Sequence, residues 1–85
     1  MTTLLELLRV QSVWEKGRQV LGSDPARWRL DRFGNLIARE QYGKMTTYGW
    51  QIDHTVPSAR GGSNEPDNLE PLHWAANIAK GASLI

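Results

Sequence analysis

The sequence predicts a small α+β fold on three observations: a capped amphipathic helix at the N-terminus, two short apolar runs flanking a turn in the middle, and a β-prone stretch followed by an alanine-rich segment near the C-terminus. Thr3 and Glu6 stand three apart ahead of an apolar run, the spacing of a capping box. Leu4, Leu5, Leu7, Leu8, Val10, Val13 and Trp14 continue at helical spacings, and Gly17 or the Gly22-Ser23-Asp24-Pro25 run supplies a stop. The four leucines occupy adjoining faces, wider than so small a domain covers. A second copy of the chain or a larger protein partner is therefore expected to bury the remainder. Glu6 and Arg9 interrupt this apolar start, and neither a basic leader nor a small-residue cleavage site accompanies it, so no signal peptide or membrane span is predicted.

After the Asp24-Pro25 turn, Trp28, Leu30, Leu36 and Ile37 flank Phe33-Gly34-Asn35, which predicts a β-hairpin between Arg27 and Arg39. Residues 41–49, with two Tyr-Gly pairs, read as a connecting loop. Trp50, Ile52 and Thr55 favour a strand. At its end, Asp53 and His54 would point to opposite sides. Asp53 could then reach a metal ion while His54, a general base when neutral, reaches across a phosphate to a water. His73 to Lys80, with Ala75, Ala76 and Ala79 and then Gly81, reads as a short helix with a glycine stop. On it His73 and Asn77 would share a face, so one cation could receive two oxygens from Asp53 and Asn77 and an imidazole nitrogen from His73. Phosphodiester hydrolysis needs such a cation and such a base.

The ordered run Asp53-His54, Pro57, Gly61-Gly62, Asn68-Leu69, Leu72-His73 and Asn77 followed by Lys80-Gly81 resembles the signature of the HNH endonuclease family over Trp50 to Gly81. The resemblance implies a ββα-metal (His-Me finger) core: a strand near Trp50 to His54, a long loop, a second strand near Leu69 to Leu72 and the helix from His73. Residues 1–49 would be a helix and hairpin extension of the finger at 50–81, all within a single nuclease domain spanning 1–85. Position by position, Asp53 matches the first metal ligand, His54 the general base, Asn77 the last ligand and Lys80 a basic residue near the phosphates. Asn68 matches a residue that ties down the loop and so orients the base. Gly61 and Gly62 suit a loop needing positive φ or close backbone approach.

Two departures from the family pattern matter. Relatives often carry Cys-x-x-Cys pairs holding a structural zinc, and this chain has no cysteine, so no structural zinc is expected. His73 is either a third ligand, as in the colicin-type branch, or a helix-start residue packing beside Trp74. As a ligand it would admit Zn²⁺, Ni²⁺ or Co²⁺. Without it, Asp53 and Asn77 favour Mg²⁺ or Mn²⁺.

Composition sets the outer limits. Without cysteine there is neither a disulfide framework nor thiol catalysis, which fits a reducing, cytoplasmic setting. Trp14, Trp28, Trp50 and Trp74 are spread over every predicted element and are expected in the core rather than stacked on a nucleobase. The net charge of +1 does not by itself mark a nucleic-acid binder. Its distribution is uneven: residues 1–52 hold eight basic against five acidic side chains, and residues 53–85 two against four. Arg27, Arg29, Arg32, Arg39 and Lys44 surround the hairpin with only Asp31 and Glu40 among them. Singly, each reads as a solvated or paired surface residue. As a group, with Arg60 and Lys80, they are candidate phosphate contacts, which would position a duplex without reading its sequence. The reading is a metal-dependent nuclease that nicks one DNA strand per site. A non-catalytic nucleic-acid-binding or assembly module and an RNA-directed nuclease are the alternatives.

Overall fold

A computed structural model describes residues 2–83. Helix α1 (Leu4–Trp14) begins where the capping box places it: Thr3 is extended, and its hydroxyl accepts the Glu6 N–H at 3.1 Å. The helix is followed by three short strands, β1 (Arg18–Gln19), β2 (Trp28–Leu30) and β3 (Leu36–Ala38), in an antiparallel sheet of order β1-β2-β3. The expected hairpin is β2–β3, with Arg29 opposite Ile37. β1 was not anticipated. Two exposed polar residues carry no alternation to read, and pairing with Leu30 and Arg29 is what makes them a strand.

Residues 42–49 form the expected loop. It leads into β4 (Trp50–His54), which pairs antiparallel with β5 (Leu69–His73), and helix α2 (Trp74–Ser83) follows directly. Two expectations for this region are corrected. His73 is the last residue of β5, not the first of the helix, because it is still paired with Trp50. Gly81 lies inside α2 and does not stop it. It is not among the glycines with positive φ, so it lacks the left-handed conformation by which glycine ends helices.

The β4–β5 ribbon has a helix on each face. Period-2 alternation puts Trp50, Ile52, His54, Leu69 and His73 on one face and Gln51, Asp53, Glu70 and Leu72 on the other. Trp50 and Leu69, with Ile52 against them, pack with Val10, Val13 and Trp14 of α1 and with Ile37 of β3. Gln51 and Asp53 face α2 through hydrogen bonds to Asn77 and Lys80. The tryptophans divide accordingly. Trp14 and Trp50 are fully buried, with ring centroids 5.3 Å apart. Trp28 and Trp74 are only half-buried: Trp28 meets the edge of Tyr48, and the Trp74 indole donates to the Thr46 carbonyl at 2.6 Å. Leu4, Leu5, Leu7 and Leu8 remain at least half exposed, as their adjoining positions suggested. Among the described residues no helix is long and apolar enough to cross a membrane.

Asp31, buried at the hairpin turn, fastens the three-stranded sheet to the ribbon. Its carboxylate accepts the backbone N–H groups of Phe33 and Asn35 and the Asn35 amide, all within 3.0 Å, and the His73 N–H at the β5–α2 junction at 3.0 Å. Burial pushes the Asp31 carboxyl up, but the bonds from His73, Asn35 and Phe33 outweigh it and hold the carboxyl below its ordinary 3.8. A lowered folded pKa contributes stability that is complete above the unfolded value and is lost as pH falls through the folded one. Asp31→Asn is expected to cost about 2 kcal/mol at neutral pH and to flatten the acid limb of the stability profile below about pH 4, read by thermal unfolding across pH. An unchanged acid limb would assign that limb to other carboxyls.

Candidate functional site

A cleft of about 210 Å³ opens between the end of β4, the loop after it and α2, lined by Asp53, His54, Pro57, Ser58, Asn77 and Lys80 among others. Asp53 is 6% exposed. Its Oδ2 receives both the Arg32 guanidinium at 2.9 Å and the Lys80 ammonium at 2.8 Å. Lys80 Nζ also donates to the His54 carbonyl at 2.6 Å, tying α2 to the strand end. One turn earlier, Asn77 Nδ2 donates to Gln51 Oε1 at 2.5 Å, so that its side-chain oxygen is the end with the chemistry to ligate a cation. Asn77 and Lys80 share a face of α2 because they stand three apart. Gln51 and Asp53 share a face of β4 because they stand two apart. The two periods bring the carboxylate and the amide to one cleft.

His54 alternates away from Asp53. It lines the Asp53 cleft and also a second cleft of about 400 Å³ against α1, beside Asn64, Tyr42, Arg39 and Leu7. Its Nε2 meets Asn64 Oδ1 at 2.7 Å. With the Asn64 amide oxygen as acceptor, the tautomer that matches this contact has its proton on Nε2 and its lone pair on Nδ1. Asn64 was not anticipated, since an asparagine in a polar loop carries no mark separating it from any turn residue. Asn68 does tie down the loop. Its side chain accepts the Val56 N–H at 2.8 Å and donates to the carbonyls of Val56 at 3.1 Å and Ser63 at 2.7 Å, and so bridges the two ends of the loop from strand to strand. The hold on the imidazole is made by Asn64, one residue beyond Ser63. The two glycines split the tasks expected of them: Gly61 has φ 84°, and a Cβ at Gly62 would overlap the Val56 carbonyl.

His73 does not join the cleft. Register puts it on the His54 face of the ribbon, opposite to Asp53, and both ring nitrogens are engaged. Nδ1 accepts the Ala75 N–H at 3.1 Å, and Nε2 donates to the Thr47 carbonyl at 2.8 Å. The ring stacks on Trp74 at 5.7 Å. The shared helix face proposed for residues 73 and 77 fails because residue 73 is in a strand.

The basic residues separate by position. Arg29 points at α1, where its guanidinium donates to the carbonyls of Pro25, Glu15 and Gly17 and sits 6.0 Å from the Trp14 ring, a structural role that supplies positive charge at a helix C-terminus. Arg39 donates to Gln11, and Arg27 pairs with Glu40 at 3.5 Å on the surface. Lys44 and Arg60 are exposed in loops. Among the described residues Arg32 and Lys80 both hydrogen-bond Asp53, and of the two Lys80 lines its cleft. Among the described residues no three His, Cys, Asp or Glu side chains converge as a metal cluster.

The folded chain is thus a small α+β protein, two helices and two small sheets, whose strand–loop–strand–helix unit carries a carboxylate, an amide and a lysine in one cleft, with an imidazole at its rim. The sequence model for the HNH endonuclease family matches residues 39–83, just over half of the chain, and the chain belongs to that family. No curated protein and no solved structure matches it. HNH nucleases act on nucleic acids, and HNH domains generally bind a divalent metal.

The loop's dependence on one side chain is testable. Asn68→Ala removes three hydrogen bonds and is expected to cost about 1–2 kcal/mol in thermal unfolding, with faster amide exchange confined to residues 55–64. Uniform exchange changes across the chain would argue against a local role.

Proposed function

We propose that the protein is a metal-dependent endonuclease that nicks DNA, with β4, β5 and α2 serving as a ββα-metal finger within one domain. The observation that carries this reading is the meeting of Asp53, His54, Asn77 and Lys80 at a single cleft.

The donor set fits a hard divalent cation. Arg32 and Lys80 already sit against the buried Asp53 carboxylate, so a divalent ion there would compete with them, and the oxygens of Asp53 and Asn77 suit Mg²⁺ or Mn²⁺. With both nitrogens of His73 engaged, the nitrogen-tolerant metals lose their reason. When bound, the ion would neutralise charge on the scissile phosphate and on the leaving 3′-oxygen. His54 Nδ1 takes the proton of the attacking water while Asn64 holds the ring through Nε2. Asn68 keeps that loop in register. Lys80 steadies α2 against the strand end, within reach of a phosphate entering the cleft. Arg60, exposed in the segment that follows β4, is available to the flanking backbone; Lys44 is exposed in the loop before β4, at the other end of that strand. A single site cuts a single strand, so a monomer nicks.

A supercoiled plasmid and a labelled RNA incubated with and without EDTA test this directly. Nicking of the plasmid that EDTA abolishes is expected; cleavage of the RNA alone would make the protein an RNA nuclease, and cleavage of neither would make it a binding module. His54→Ala is expected to reduce nicking by about 10²–10⁴-fold, the usual contribution of a general base, while Mn²⁺ binding by calorimetry stays within a few-fold of the parent. Asp53→Ala should lose both cleavage and Mn²⁺ binding. Parent-like nicking by His54→Ala would remove His54 from the base's role.

A further inference from the structure

Arg32 lies outside the family-matched segment, yet it is one of two cations on the buried Asp53 carboxylate. The turn places it there. Asp31 docks the hairpin on the His73 N–H, and the next residue projects its guanidinium to Asp53 Oδ2 while stacking 5.0 Å from the Phe33 ring. Its side chain is 30% exposed, against 20% for that of Lys80. The neighbouring Arg29, spent on three carbonyls, has no such freedom.

We infer that Arg32 is an exchangeable counter-cation: it occupies Asp53 while the site holds no divalent ion, yields the carboxylate when one binds, and then contacts the incoming DNA phosphate. The inference rests on the reading of Asp53 as a metal ligand. Asp53 has one negative charge, and Arg32 and Lys80 together exceed it. A divalent cation on the same carboxylate would meet two positive groups within a few ångströms, a repulsion the cleft relieves when the more exposed group leaves. Lys80 also donates to the His54 carbonyl and is the less exposed of the two, so Arg32 is the group that swings. A guanidinium released beside the cleft is a bidentate partner for a phosphate. Metal and DNA therefore each favour the state that the other needs. By linkage, each tightens the binding of the other by the same factor.

Two measurements on the full chain test the proposal. Calorimetric titration of Mn²⁺ into DNA-free protein at low salt should show Arg32→Gln binding the ion about tenfold more tightly than the parent, because a competing charge is gone. Fluorescence anisotropy of a short duplex, in a His54→Ala background that does not cut, should show Mn²⁺ tightening DNA binding by about tenfold over EDTA. That gain should shrink to about threefold or less when Arg32→Gln is added. Circular dichroism and thermal unfolding establish that each variant is folded, and Arg32→Lys provides a second variant that keeps the charge without the fork. Unchanged or weakened Mn²⁺ binding by Arg32→Gln overturns the proposal and makes Arg32 a support for Asp53. Equal Mn²⁺ binding by the parent and Asp53→Asn overturns instead the metal reading on which it rests.

Discussion

The contact from the Asp31 carboxylate to the His73 N–H is the constraint on which the arrangement of this protein turns. One side chain closes the hairpin turn through Phe33 and Asn35 and also satisfies a backbone donor at the β5–α2 junction. A junction between strand and helix leaves N–H groups without intrahelical partners, and burying one unsatisfied would cost about 1–3 kcal/mol. The bond removes that cost, and as a charge-assisted bond it fixes the direction in which α2 leaves the ribbon. That direction matters for the site. Asn77 and Lys80 reach Gln51 and Asp53 only if the helix lies back across β4. The same bond holds Arg32, the next residue, within reach of Asp53. The three-stranded sheet and the strand–loop–strand–helix unit are in this sense one structure.

The ribbon separates two kinds of work. Its α1 face is apolar except at its ends, where His54 and His73 stand; its α2 face carries Gln51, Asp53 and Glu70. The proposed general base and the proposed metal-ligating carboxylate, at adjacent positions, therefore leave the strand on opposite sides, and a substrate serving both would have to straddle the strand end. His54 lines clefts on both sides of that end, which is the geometry such straddling requires.

Much of this could be read from the sequence, and the failures have physical causes. The capping box, the turn at Phe33-Gly34-Asn35 and the strand at Trp50 to His54 follow from local spacing, and local spacing is what a sequence displays; that Asp53, Asn77 and Lys80 belong together came from the resemblance to the family's ordered motif. His73 was misread because an alanine-rich stretch looks helical from its first residue, whereas the pairing with Trp50 extends the strand by one and turns the ring to the other face. Gly81 was taken as a stop on residue type, although an ordinary helical φ lets glycine continue a helix at modest cost. The arginines show the deeper limit. Arg29 and Arg32 look equivalent in a basic hairpin, but one is on the strand face that meets α1 and the other is in the turn, so one becomes a structural clamp and the other reaches the site. Asn64 and Gln51 were invisible because their partners are ten and twenty-six residues away.

The absence of cysteine leaves open how so short a chain holds a buried charge cluster in place, since domains of this size often depend on a disulfide or a structural metal. Here the core is built around two tryptophans. Trp14 from α1 and Trp50 from β4 are both fully buried and in contact, and each removes on the order of 200 Å² from water, about 5 kcal/mol of apolar burial as an upper bound. The Trp14 indole donates to the Pro25 carbonyl, and Arg29 donates to that same carbonyl while lying against the Trp14 ring. Helix, sheet and ribbon therefore meet at one place, on the face of the ribbon away from Asp53. That placement puts the tryptophan-centred cluster on the face opposite the charged site, while Leu72 supplies apolar burial on the Asp53 face.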